Sequence, residues 1–142
     1  MSILNILVII LFCLLGAIHI YWAIGGKTGV EKAIPTTVDG KPTMEPGTII
    51  TILVGLSLFT IGLIIYLLGF YDLESIIYGK YIVYSGWLLS GVFFIRSIGD
   101  FKTIGFFKKV KTTEFAKYDT LIYSPLCIAL GVFFAALVYN KA

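Results

Sequence analysis

Apolar and polar residues do not alternate along this chain; they fall into long blocks. Four continuous apolar runs stand out, at 3–24, 49–70, 78–98 and 121–139. Each is close to the roughly 20 residues a helix needs to cross a hydrocarbon layer about 30 Å thick. The apolar–polar alternation of a membrane barrel strand is missing from all four. The pattern predicts an all-α polytopic membrane protein, an antiparallel bundle of four transmembrane helices forming a single membrane domain over 1–142, with loops at about 25–48 and 99–120. No Lys or Arg precedes the first run, its apolar core is long, and no small-x-small cleavage site follows it. It is therefore expected to stay in place as the first helix.

The start of the fourth run can be read in two ways. Ser124-Pro125 suits an N-cap with proline at the first helical position. A helix from there to Tyr139 has about 15 residues and reaches only about 22 Å. Thr113 followed by Glu114 also marks a helix start, since an acidic side chain is favoured in the first turn. The longer reading is preferred: one helix from about Thr113, kinked at Pro125, where the missing N–H leaves the Leu121 carbonyl free. Packing signals lie inside the runs. Gly55, Gly62 and Gly69 recur every seven residues, which keeps one helix face in register for close backbone approach. Gly86, Ser90 and Gly91 give the third run a small face, and Gly131 and Ala135 do so for the fourth.

Charge adds an orientation. Only 13% of residues are charged, where a soluble domain carries roughly a quarter, and mean hydropathy is +0.97. With four spans, the first and third loops share a side. They and the adjoining helix ends hold nine of the basic residues, against Lys80 and Lys141 on the other side. Basic residues favour the cytoplasm, so the expectation is a cell (inner) membrane protein with both termini outside. Tyr21, Trp22, Tyr118 and Tyr123 then mark the cytoplasmic interface, and Phe70, Tyr71, Tyr78, Tyr81 and Tyr139 the outer one. Segment 100–113, DFKTIGFFKKVKTT, mixes apolar rings with four lysines. It suits contact with the bilayer edge and anionic lipid, and a solvated basic loop is the competing reading.

Motifs for catalysis are weak. Gly26-Lys27-Thr28 resembles the end of a phosphate-binding loop, but Tyr21 stands where that pattern needs glycine and a helix precedes it. Gly25 and Gly26 fit a helix end better. Cys13 and Cys127 are isolated in separate runs and read as small buried thiols, with no C-x-x-C and no metal-ligand spacing. No acidic residue lies near the middle of a run, which disfavours a proton-coupled transporter made of one chain. No cofactor, metal or nucleic acid is expected.

Polar residues do gather at one level. Antiparallel connectivity brings His19 and Trp22, Arg96 and Asp100, and Asp119 and Tyr123 to the cytoplasmic helix ends. Arg96 and Asp100 are spaced to pair on a helix face, as are Asp119 and Tyr123. Arg, Tyr and Trp at that depth also serve as plain anchors. His19, the only histidine, is too short to snorkel and needs hydrogen-bond partners when buried.

The words HIYWAIGG and RSIGDFKTIGFFKKVKTTEFAKYDTLIYSPLC, with the four-span layout, resemble the small bacterial membrane proteins of the domain-of-unknown-function 3995 family. The resemblance covers nearly the whole chain, and 96–127 is its most specific part. His19, Trp22, Gly25, Gly26, Arg96, Gly99, Asp100, Phe115, Asp119 and Pro125 match its motif positions. It implies a fold and a bacterial source but no activity.

The leading expectation is a non-catalytic bundle with a cytoplasm-facing pocket for a lipid head group or small amphipathic ligand. His19, Arg96, Asp100 and Asp119 would make its polar contacts, and Trp22 and Tyr123 its walls. A membrane-embedded enzyme using His19 as acid–base group, oriented by Asp119, is the alternative. Beyond the lipid bilayer, a homo-oligomer or a membrane partner protein, with this chain as accessory subunit, stays open.

Overall fold

The computed structural model describes residues 3–141, which are helical apart from turns, loops and an isolated bridge between Thr36 and Pro42. In order, the elements are α1 (Ile3–Ala23), a one-turn α2 (Val30–Ala33), α3 (Thr48–Phe70), a 3₁₀ turn (Leu73–Ser75), α4 (Gly79–Ile98), α5 (Glu114–Tyr118), a π turn (Asp119–Tyr123) and α6 (Ser124–Tyr139). Four stretches are long and apolar enough to cross a membrane: α1, α3, α4 and the continuous Glu114–Tyr139. Within their most apolar windows only 17–28% of residues are buried inside the protein. Ile3, Leu7, Ile10, Leu14 and Ile18 of α1 all face outward. Such continuous apolar belts are unfavourable in water and are what a lipid environment accepts. This is a multi-pass membrane protein.

The chain divides into two compact units. The first takes α1, α3, α4 as far as Trp87, and the end of the chain from Leu137. Here α1 buries Asn5, Val8, Phe12 and Gly16, a stripe at helical spacing. The seven-residue glycine repeat of α3 faces that stripe in antiparallel order. A Cβ at Gly69 would meet Asn5, one at Gly62 would touch Phe12, and one at Gly55 would meet Ile20 and the Gly16 carbonyl. Leu68, Leu73 and Val138 form the buried centre of this unit, with Ile64, Ile82 and Val83 against them. Gly86 lies on Val138 and Leu68. Cys13 is exposed and Cys127 half-buried. The expectation of buried thiols fails most plainly at Cys13, which sits one residue off the Phe12 stripe and so turns about 100° away from it.

The second unit takes Thr28–Glu45 and Leu88–Ala136. In it the second half of α4 runs along α6. Ser90 Oγ donates to the Gly131 carbonyl at 2.8 Å, the Phe94 ring covers Gly131, and Phe93 stacks on Phe134 with ring centres 5.8 Å apart. The small face expected at 86–91 is real at Gly86 and Ser90. It fails at Gly91, which has open space where a Cβ would stand.

The fourth span begins where the longer reading placed it. Thr113 Oγ1 accepts from the Ala116 N–H at 3.1 Å and caps α5. The expected kink at Pro125 is not shown; just ahead of the proline the backbone makes a π turn over Asp119–Tyr123. The Ser124 N–H bonds to the Asp119 carbonyl five residues back. One residue more than an α-turn is thus accommodated just ahead of the proline, and it shifts Asp119 out of α register with α6.

Candidate functional site

The second unit contains a loop, 99–113, folded back on the ends of α4 and α5. Two glycines make this possible. Gly99 (φ 89°) and Gly105 (φ 86°) both adopt left-handed backbone. Their backbones also meet, so a Cβ on either would strike the carbonyl of Ile104 or Ile98. Gly99 therefore ends α4, and Asp100 leaves the helix face that Arg96 occupies. The expected Arg96–Asp100 pair does not form. Asp100 instead organises its own loop: Oδ1 accepts from the N–H groups of Lys102, Thr103 and Ile104 at 2.7–2.8 Å, and Oδ2 from Thr103 Oγ1 at 2.8 Å. Burial by itself would raise this carboxyl, but those donors outweigh it and hold Asp100 well below the usual carboxylate range.

The centre of the site is Asp119, fully buried at the start of the π turn. Its Oδ1 accepts from Arg96 Nη2 at 2.9 Å. Its Oδ2 accepts from Lys108 Nζ at 2.9 Å and from the Gly105 N–H at 2.7 Å. Lys108 is itself only 1% exposed, and also donates to the Gly105 carbonyl and Thr120 Oγ1. The reading of 100–113 as a solvated basic loop is therefore wrong at Lys108: this ammonium is turned inward as the partner of a buried carboxylate. One anion faces two cations, so the cluster carries one net positive charge. Arg96 Nη1 and Ser124 Oγ are buried there or on the adjoining turn with no hydrogen-bond partner among the described residues.

Tyr123 joins a different contact. Its hydroxyl donates to the Lys32 carbonyl at 3.0 Å, which fastens α2 to the π turn. Its ring lies against Phe115 and Tyr118. His19 and Trp22 belong to the first unit. The His19 Nδ1–H donates to the Leu15 carbonyl one turn back at 2.7 Å, and the imidazole meets Trp22 edge-on at 4.9 Å. After them Gly25 (φ 101°) turns left-handed, and Gly26 lies under the Tyr21 ring, so the pair closes α1 as a helix end. Of the residues picked from sequence, Arg96 and Asp119 come together. Asp100 shapes the loop that completes their site, and His19 and Tyr123 have partners elsewhere.

A family model described as a protein of unknown function, DUF3995, matches residues 12–134. The chain belongs to that family. No curated protein matches it, and no solved structure does.

What sequence reasoning missed in this DUF3995 protein is Lys108, Gly105 and Ser124. Lys108 was one of four lysines in a segment without helical period, and nothing local distinguishes the one that turns inward. The available signal was Gly99 and Gly105 flanking Asp100: two left-handed positions six apart fold the loop back on the helix end, where a lysine can reach a span.

Proposed function

We propose that this DUF3995 protein is a non-catalytic membrane protein that holds the anionic head group of a lipid or small amphiphile at the Arg96 end of α4, on the cytoplasmic face. One observation carries the reading: a buried guanidinium nitrogen with no hydrogen-bond partner among the described residues, in a cluster with more positive than negative charge. Arginine presents its donors as a planar fork that suits phosphate and carboxylate. Asp119 uses Nη2, and the head group would take Nη1. Ser124 would add a hydroxyl from the next turn. The basic residues of both loops favour the same side for the site and for anionic lipid. The hydrogen bonds support this reading over the enzyme, because both Asp119 oxygens already accept from cations or an amide and the His19 Nδ1–H goes to the Leu15 carbonyl.

Native mass spectrometry of protein extracted with its lipids tests the reading, using wild type, Arg96→Lys and Arg96→Ala. Loss of a charge-assisted contact worth roughly 1.5–3 kcal/mol should lower anionic-lipid retention about tenfold or more in Arg96→Ala. Arg96→Lys should fall between. Equal retention by a folded Arg96→Ala protein would remove the proposal.

A further inference from the structure

At the opposite end of α4 the first unit has an open cleft of about 450 Å³. Leu73 from the 3₁₀ turn and Val83 and Trp87 from α4 are among its apolar lining, and Glu74, Lys80 and Lys141 among its polar lining. Polar and apolar positions are graded along the helix. Lys80 is in its first turn, and Trp87 lies two turns further into the span, about 10 Å along the axis. The volume is that of a small-molecule site.

The two ammonium groups have donors to spare. Lys141 Nζ gives one of its three N–H groups to the Tyr71 carbonyl at 3.1 Å. Lys80 Nζ lies over the Tyr81 ring at 5.2 Å. Neither forms an ion pair with a carboxylate among the described residues, and one glutamate against two lysines leaves the lining positive.

We propose that this cleft binds a single-chain anionic amphiphile, a long-chain carboxylate, with its head at Lys80 and Lys141 and its chain on Leu73, Val83 and Trp87. Size favours one chain over a two-chain lipid, and the unbalanced lysines favour an anion. Arg96 is not one of the residues lining this cleft, so the two readings are tested independently.

Trp87 serves as its own reporter. The chain has two tryptophans, so Trp22→Phe leaves Trp87 as the sole emitter. In nanodiscs of unbrominated neutral lipid, dibromostearate should quench Trp87 saturably, and its methyl ester should do so only weakly and without saturation. Lys80→Gln and Lys141→Gln should each raise the half-saturating concentration about threefold, the scale of one exposed charge pair. Arg96→Ala should leave it unchanged. Unsaturable quenching, or equal quenching by acid and ester, would overturn the proposal, as would equally strong quenching by brominated phospholipid. So would lysine variants that quench like wild type while melting like it.

Discussion

Asp119 and Lys108 show how unequal two members of one ion pair can be. Removing Lys108 leaves Asp119 with Arg96 and the Gly105 amide. Removing the carboxylate leaves two cations facing each other, one of them wholly buried. Asp119→Asn should therefore destabilise the second unit by about 3–5 kcal/mol, the usual cost of uncovering a buried charge. Lys108→Met should cost clearly less, and thermal unfolding in detergent will rank the two. Asp100 makes a pH prediction with a definite sign. Its carboxyl is depressed in the folded loop, so the stability it contributes is complete above the ordinary value of 3.8 and is lost only as pH falls through the lower folded value. Proteolysis of 99–113 should stay constant from neutrality to about pH 5 and rise only in stronger acid. Asp100→Asn, which lacks the second acceptor oxygen, should open the loop at neutral pH.

Among the helices, glycine does unequal work at positions that look alike in sequence. A Cβ at Gly62 would sit 3.9 Å from Phe12, in ordinary contact. Gly62→Ala should be neutral or stabilising by up to about 1 kcal/mol, because alanine favours helix. Gly86 has Val138 pressed on it, and Gly86→Ala should lower the melting temperature through overpacking of roughly 1–3 kcal/mol. The period of seven was legible because Gly55, Gly62 and Gly69 write it in letters, and all three do face α1. Which glycine has room was not legible, since that depends on the neighbour's side chain. The start of the fourth span was readable from Thr113-Glu114, because a cap is a local device. The π turn was not: Pro125 announces a lost hydrogen bond without saying where the backbone will take up the difference. Arg96 and Asp119 were found because they are rare charges at span ends. Lys108 was hidden among lysines that do point outward.

For the whole molecule, the four spans followed from length and apolar content alone, and these need no knowledge of contacts. Orientation rests on basic residues and makes a prediction of its own. In a background of Cys13→Ser and Cys127→Ser, Thr112→Cys should resist a membrane-impermeant maleimide applied to intact cells, and Tyr78→Cys should react. The reverse pattern would invert the topology and move the Arg96 site to the outer leaflet. Both probe positions are exposed, so a difference between them reports sidedness rather than burial.

The inward turn of Lys108 has a practical result for anyone who treats this protein with amine-reactive reagents. Nine of its ten lysines should acylate readily, while this one stays unmodified as long as Gly105 and Asp119 grip it. Each transient release of the 99–113 loop would expose the amine for capture. The slow appearance of label at position 108, followed by peptide mass analysis, thus becomes a clock for how often the loop lets go.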